Sequence, residues 1–444
     1  MLSVNHVKRC LTFSIKHMKN CLRAAVGLIL GLSAAPSILA LDIGPLTITG
    51  FAKVEASTAS NQCASCQRYP NEARHRPWAD ELAQGVSYGK HGASLTLFQP
   101  YISTKEFDLG RGFKAKALIS QRWRDGRQDI AGVWYEKNAT LSHEDYGLVQ
   151  VGAFPTRGWS VADYPYGTNL GVADPWASSG AGYGLLTRAI RVGSRLFDVA
   201  GGDLYLEATH DLGDSDHKVR RPQFYEAYAK YVKGPWMIDA VAQSAQNGQA
   251  MAWGHGPFTA ATTTAPYDGN LVDRNRQSIV MLMARYQLNS KTDLYGGVRW
   301  NRWSGAKGVI TGMNSAGDYL WSDMFNVGNT VNTAYGAKST DVSLGGVYRF
   351  MPKWSAKFGA VYLGKASTRN PVERGQSNTM LLGTVGLGYD VQPGFSVYGF
   401  AGAVNYGRKG LAPLSMPGHA AFTGIDSRVA RSGNWVGLGS VYTF

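Results

Sequence analysis

From Leu46 onward the chain repeats one rhythm: a run of about ten residues alternating apolar and polar, a short turn, a second such run, then a long irregular segment. Successive side chains of a strand point to opposite faces, so each run builds a two-faced strand. In Gly112 to Arg124 one face reads Phe113, Ala115, Ala117, Ile119 and Trp123, and the other reads Lys114, Lys116, Ser120, Arg122 and Arg124. Val342, Leu344, Tyr348 and Phe350 likewise oppose Asp341, Ser343 and Arg349, and Tyr225, Ala227, Ala229 and Tyr231 oppose Glu226, Tyr228 and Lys230.

The connections can be counted. Short turns rich in glycine, proline, asparagine and aspartate fall at Phe107–Gly112, His143–Gly147, Gly201–Asp203, Lys233–Pro235, Asn289–Thr292, Met351–Lys353 and Val391–Gly394. Long segments cover 58–91, 125–131, 155–187, 212–223, 246–276, 304–338, 365–378 and 407–433. Seven short and eight long connections in strict alternation join sixteen strands. An even number lets an antiparallel sheet close on itself and removes the edges that invite aggregation.

A soluble sandwich also alternates, but sixteen half-polar strands enclose a wet lumen more naturally than a dry core. Charged residues make up only 17% of the chain, against roughly 25% in an ordinary soluble domain. Past the leader no apolar run reaches the roughly 20 residues of a membrane helix. The expected fold is therefore all-β: a closed antiparallel transmembrane barrel of about sixteen strands. Aromatics near strand ends, namely Trp123, Tyr231, Trp236, Trp300, Trp303, Trp354, Tyr389 and Tyr442, suit girdles at the two membrane interfaces.

Residues 1–40 read as a removable signal peptide: Lys16, Lys19 and Arg23 precede the apolar stretch Ala24 to Leu32, and a small-residue region runs to a cut after Ala40. Residues 41–444 then form one barrel domain. Cleavage removes five basic residues and no acidic one, lowering the formal charge from +14 to +9. An exported basic chain meets little nucleic acid, so small anionic solutes and anionic lipopolysaccharide are the expected partners. Cys63 and Cys66 remain in the mature chain; outside the cytoplasm such a pair closes a local disulfide, with a metal or redox role and two free thiols as alternatives.

In the final strand Val436, Leu438, Tyr442 and Phe444 share one face, and the strand ends on the aromatic Phe444. The opening strand LTITGFAKVEAS (Leu46 to Ser57) and the stretch YGLVQVGAFPTRG (Tyr146 to Gly158) complete a pattern that resembles the general diffusion porins of Gram-negative outer membranes, the trimeric sixteen-stranded kind, over essentially the whole mature chain. The resemblance implies a homotrimer in the outer membrane, surrounded by lipid and lipopolysaccharide. It also implies that Tyr442 and Phe444 are read by the barrel-assembly machinery, and that segment 155–187 folds into the lumen as a constriction loop. The implied activity is passive diffusion of ions and small hydrophilic solutes, without enzyme activity, cofactor or metal. A substrate-specific channel for small carboxylated nutrients is the alternative, and an outer-membrane barrel enzyme the more remote one.

The loop offers Arg157, Asp163 and Asp174 among mostly uncharged residues, without a dense acidic cluster. Strand parity nominates Lys114, Lys116, Arg122, Arg124, Arg191 and Arg195 as lumen-facing cations, with Arg188 at the end of the loop and Arg285, Arg299 and Arg349 on the far wall. Fewer acids accompany them: Glu136, Glu207, Glu226, Asp239 and Asp341. Narrow, low-dielectric walls strengthen the effect of such groups on passing ions, so the basic excess predicts a weak preference for anions. No serine, histidine or acid stands at a triad spacing and no HExxH occurs, which argues against hydrolytic chemistry.

Overall fold

A computed structural model describes residues 40–60, 92–124, 126–128, 134–162, 183–211, 223–246, 251–255, 276–304, 337–365, 367–368, 379–407 and 432–444. The leader, Cys63, Cys66, Asp163 and Asp174 lie outside the described residues.

Sixteen wall strands form one antiparallel sheet that closes into a barrel. In chain order, the first to the eighth are Leu46–Ser60, Gly92–Thr104 continued by Phe107–Gly110, Phe113–Ser120 continued by Trp123–Arg124, Glu136–His143, Gly147–Pro155, Tyr183–Gly193 continued by Phe197–Val199, Gly202–Asp211 and Gln223–Lys233. The ninth to the sixteenth are Trp236–Gln246, Arg276–Asn289, Thr292–Ser304, Ala337–Met351, Trp354–Leu363, Met380–Gln392, Phe395–Tyr406 and Ser432–Thr443. Each strand pairs with its neighbours in sequence, and the sixteenth returns to the first through pairs such as Lys53↔Val441 and Ser57↔Gly437. Leu41–Ile43 folds back on Leu46–Ile48 as a small hairpin at the start of the wall.

The expected alternation of short and long connections is present, with tighter turns in two places. Arg111 and Gly112 take positive φ (55° and 80°), as do Ala200 and Gly201 (52° and 74°). Two consecutive left-handed residues make the two-residue hairpin turn whose twist matches the flanking strands. The second strand therefore runs on to Gly110 where a turn from Phe107 was expected, and the seventh strand begins at Gly202.

The two faces segregate as the alternation requires. On the twelfth strand Leu344 is 64% exposed while the adjacent Asp341 and Ser343 are buried. Tyr225 is exposed beside buried Glu226. Apolar side chains thus cover the outside and polar ones line the inside, the inverse of a soluble domain and the arrangement that lipid as an outer solvent demands. Outward aromatics gather at the short-turn end, where Trp236 packs on Tyr286 with ring centroids 4.5 Å apart and Trp354 on Tyr389 at 4.8 Å.

The closing seam depends on one glycine. Phe444 exchanges backbone hydrogen bonds with Gly50 (N to O, 2.8 and 3.0 Å), and its ring lies over that glycine, stacked between Tyr442 and Phe98 at 6.0 and 6.2 Å. A Cβ on Gly50 would meet the Phe444 ring and the Pro100 Cα, each at 2.9 Å.

One feature of the interior was not legible in the alternation. From the ninth to the sixteenth strand the inward face carries a buried apolar cluster that includes Val241, Met281, Met283, Val361, Leu382 and Trp435. Val161 and Ala162, from the start of the third long loop, belong to the same cluster. Apolar and charged side chains thus share the inner wall.

Candidate functional site

One dense charge cluster is built where the third loop leaves the wall. Thr156 caps a short helix, Arg157–Val161, its hydroxyl accepting from the Trp159 amide at 3.3 Å. The helix lies against the inside of the wall. Glu226 on the eighth strand accepts the backbone N–H groups of Arg157 and Gly158, each at 2.8 Å, and the Gln243 side-chain amide at 2.5 Å. Free N–H groups at a helix start are natural partners for a carboxylate. A Cβ on Gly158 would push the Gln243 amide away from Glu226.

Glu207 on the seventh strand fixes the other side. It receives the Arg157 guanidinium through Nε at 2.5 Å and Nη2 at 2.6 Å, together with the Tyr205 hydroxyl at 2.7 Å. Two parallel N–H donors into one carboxylate give strength and a fixed orientation. Burial opposes the Arg157 charge, but Glu207 outweighs it through the hydrogen bond and the charge attraction, so the pKa of Arg157 is held above its ordinary value. The Arg157 guanidinium also stacks over the Tyr228 ring at 5.2 Å, and the Tyr228 hydroxyl donates to Asp239 at 2.6 Å.

Arg191 on the sixth strand is the stitch between wall and loop. It donates to the Thr209 hydroxyl at 3.0 Å, the Gln150 carbonyl oxygen at 3.3 Å and the Pro155 backbone carbonyl at 2.9 Å, and lies over the Phe154 ring at 4.4 Å. Its Nη2 stands 3.8 Å from Glu226. These bonds tie the fifth, sixth and seventh strands to the first residues of the loop.

The other nominated residues divide by position. Arg122 is buried over the Tyr135 ring at 5.9 Å and Arg124 is half-buried, both at the long-loop end of the third strand. Lys114 is exposed at the opposite end, 3.4 Å from Glu106, and Lys116 is exposed on the same strand. Arg188 is exposed within the sixth strand, at the register irregularity between Leu186 and Ala189, and not at the end of a loop. Arg195 is exposed at the short-turn end with its guanidinium over Phe197, 5.5 Å from the ring centre. Of the basic set, Arg157 and Arg191 are therefore brought together, with Glu207 and Glu226 between them.

Three further polar groupings stand on the inner wall. Arg299 and Asp341 pair at 2.9 Å, both fully buried, and Asp341 also accepts from the Asn301 side chain at 2.7 Å and the Gly364 amide at 3.0 Å. Asp293 is shared by Arg285 at 3.1 Å and Arg349 at 2.8 Å. Glu55 pairs with Lys53 at 3.1 Å and accepts from the Tyr398 hydroxyl. The reading of the sequence had not singled out Gln243, Tyr205, Lys53, Glu55 or Asp293. The alternation Lys53–Val54–Glu55 is the signal that could have marked Lys53 and Glu55 as inner-face residues, whereas the bond from Gln243 to Glu226 depends on register between strands.

No protein-family model matches the chain, and no curated protein matches it. Solved structures do. OmpT in trimer form, an outer membrane protein of Vibrio cholerae, aligns with a TM-score of 0.55 at 12% identity, covering 91% of this chain and 100% of that one. An anion-selective porin from Comamonas acidovorans aligns with a TM-score of 0.53 at 14% identity, covering 90% and 99%. At that level of identity it is the fold that is shared, and it is the fold of the sixteen-stranded outer-membrane porins.

Proposed function

We propose that the protein is an outer-membrane porin, a water-filled channel through which ions and small hydrophilic solutes diffuse, with a preference for anions. The observation that carries the preference is the layering of charge on the inner wall. In the ion pairs of Arg157, Arg285 and Arg349 the carboxylate is buried and the cation is partly exposed. The Arg157 side chain is 32% exposed and its partner Glu207 1%. Arg285 and Arg349 are 33% and 47% exposed over Asp293 at 1%. A solute in the lumen is nearer the cations than the acids, and Coulomb energy falls with distance, so the wall reads as positive even where charges balance. The structural neighbour from Comamonas acidovorans, described as anion-selective, supports the same reading.

Under a salt gradient in planar bilayers the reversal potential is expected to show anions crossing faster than cations; a cation preference would overturn the proposal. The apolar cluster inside the wall supports a second reading, a narrower channel specific for small carboxylated nutrients. Saturable block of the salt current by short carboxylates would favour it over general diffusion.

A homotrimer is part of the proposal, supported by the neighbour solved as a trimer. A band of about three chain masses in unheated gels, collapsing to the monomer on boiling, is the expected result.

A further inference from the structure

The outer face of the barrel carries a pair of cations that no part of the channel uses. Arg302 on the eleventh strand and Lys338 on the twelfth are direct cross-strand partners. Both side chains are exposed and point outward: their neighbours Asn301 and Ser339 are buried on the inner side, while Trp300 and Val342, on the same face as the cations, are exposed with the apolar wall. Directly opposed side chains have Cβ atoms about 4.5–5.5 Å apart, and like charges in that position repel. Neither cation makes an ion pair or a side-chain hydrogen bond among the described residues. The acids of the two strands, Asp293 and Asp341, point inward and are held by Arg285, Arg349 and Arg299. The flanking tenth and thirteenth strands contain no acid.

Depth in the membrane decides what such a pair can meet. Tyr348, exposed on the outer face, stands opposite Thr292, where the eleventh strand begins, and Arg302 lies ten residues beyond Thr292 toward the long loops. At about 3.3 Å per residue on a strand tilted about 40°, that run rises about 25 Å, the height of a barrel's apolar band. Between those levels Leu294, Val342 and Leu344 cover the outside, and Trp300 lies one outward position below the pair. A cation in the middle of the band is costly, and the cost fades at the interface. The pair stands at that edge, on the long-loop side, which in outer-membrane barrels is the extracellular one.

Hydroxyls flank the cations. Ser278 of the tenth strand pairs with Arg302 from one side and Ser367 with Lys338 from the other, so four polar residues form one cross-strand row, about 14 Å long at about 4.8 Å per strand. Below the row, exposed Val280, Trp300 and Val342 offer acyl chains an apolar bed. We propose that Arg302 and Lys338 form an outer-face site for the phosphate monoester of an outer-leaflet glycolipid of the lipopolysaccharide kind. A phosphate monoester carries close to two negative charges and three strong acceptor oxygens, so one group neutralises both cations and removes their repulsion. The planar fork of the arginine suits two of those oxygens. A phosphodiester, with its single charge, would leave one cation uncompensated. The proposal rests on the outer-membrane placement of the barrel and not on its ion preference, since the pair faces away from the lumen.

Labelled lipopolysaccharide is the probe. Fluorescence-polarisation titration of the full-length, detergent-folded protein is expected to show saturable binding. R302Q and K338Q should each weaken it about fivefold, the effect of one basic residue beside an anionic lipid surface, and the double variant about 25-fold. The same glycolipid stripped of its phosphates should bind the wild type no better than the intact one binds the double variant. Unchanged heat-modifiable gel mobility checks that each variant is folded. Equal binding by the wild type and the double variant, or equal binding of the dephosphorylated glycolipid, overturns the site. Inorganic phosphate bound as tightly as the glycolipid would make it a site for a soluble ion and overturn the lipid assignment, and a reversal potential shifted in the double variant would place the pair in the lumen and overturn it too. The channel reading fails separately, by a cation preference of the wild type in the bilayer, and that result leaves the titration interpretable.

Discussion

At the scale of single residues the third loop is held by buried charge, and its members are not interchangeable. Replacing Glu207 with glutamine keeps the shape but strips Arg157 and Arg191 of a carboxylate, and breaking a buried pair in this way costs about 3–5 kcal/mol. E207Q is expected to lower the thermal unfolding midpoint, raise open-channel current noise and increase anion preference, because the acid leaves and both cations remain. R157Q should loosen the loop equally but reduce anion preference. Opposite shifts in reversal potential from two variants of similar stability are the check, and shifts of the same sign would show that the layering does not set selectivity. Part of this cluster was legible: parity named Arg191, Glu207 and Glu226 as inward-facing. The bonds among them were not. They join residues from 16 to 69 positions apart, and only the register of the fifth to ninth strands brings those together. Alternation likewise could not show that Arg157 turns back onto the wall, or that Arg188 and Arg195 stand away from the cluster, because loop direction and bulges break the period of two.

At the scale of elements, strands and turns were largely readable, since each turn is a local event and each strand keeps its own alternation. The Phe107–Gly112 turn was drawn too wide because its left-handed positions are confined to Gly110, Arg111 and Gly112. Closure is the non-local step, joining residues almost 400 positions apart in the chain. Its weak point is Gly50, where the outer face must be bare for the Phe444 ring to lie down. G50V is expected to abolish the compact, heat-modifiable band that reports a closed barrel. F444A leaves the backbone bonds possible and removes only the ring contacts with Tyr442 and Phe98, so it should slow folding into lipid vesicles without preventing it. A barrel that closes normally with valine at position 50 would contradict the seam described here.

At the scale of the whole molecule the barrel is inverted, with apolar residues outside and charge within, and the solvent of the outer face is lipid. Leu344 tests this directly. It is 64% exposed in the middle of the twelfth strand, where a soluble protein would tolerate any polar residue. In a bilayer L344R is expected to cost about 2–4 kcal/mol, read as a lower denaturant midpoint in lipid vesicles. A neutral result would argue against a membrane-facing surface there. The sequence by itself determined the strand count, the alternation of short and long connections, and which face of most strands is polar, because those follow from the two-residue period of an extended chain and from local turn chemistry. Only the tertiary structure decided which acid meets which base, that the acids lie beneath the cations, and that part of the inner wall is apolar. These depend on cross-strand register and on where the loop folds back, and neither is encoded in any one stretch of residues.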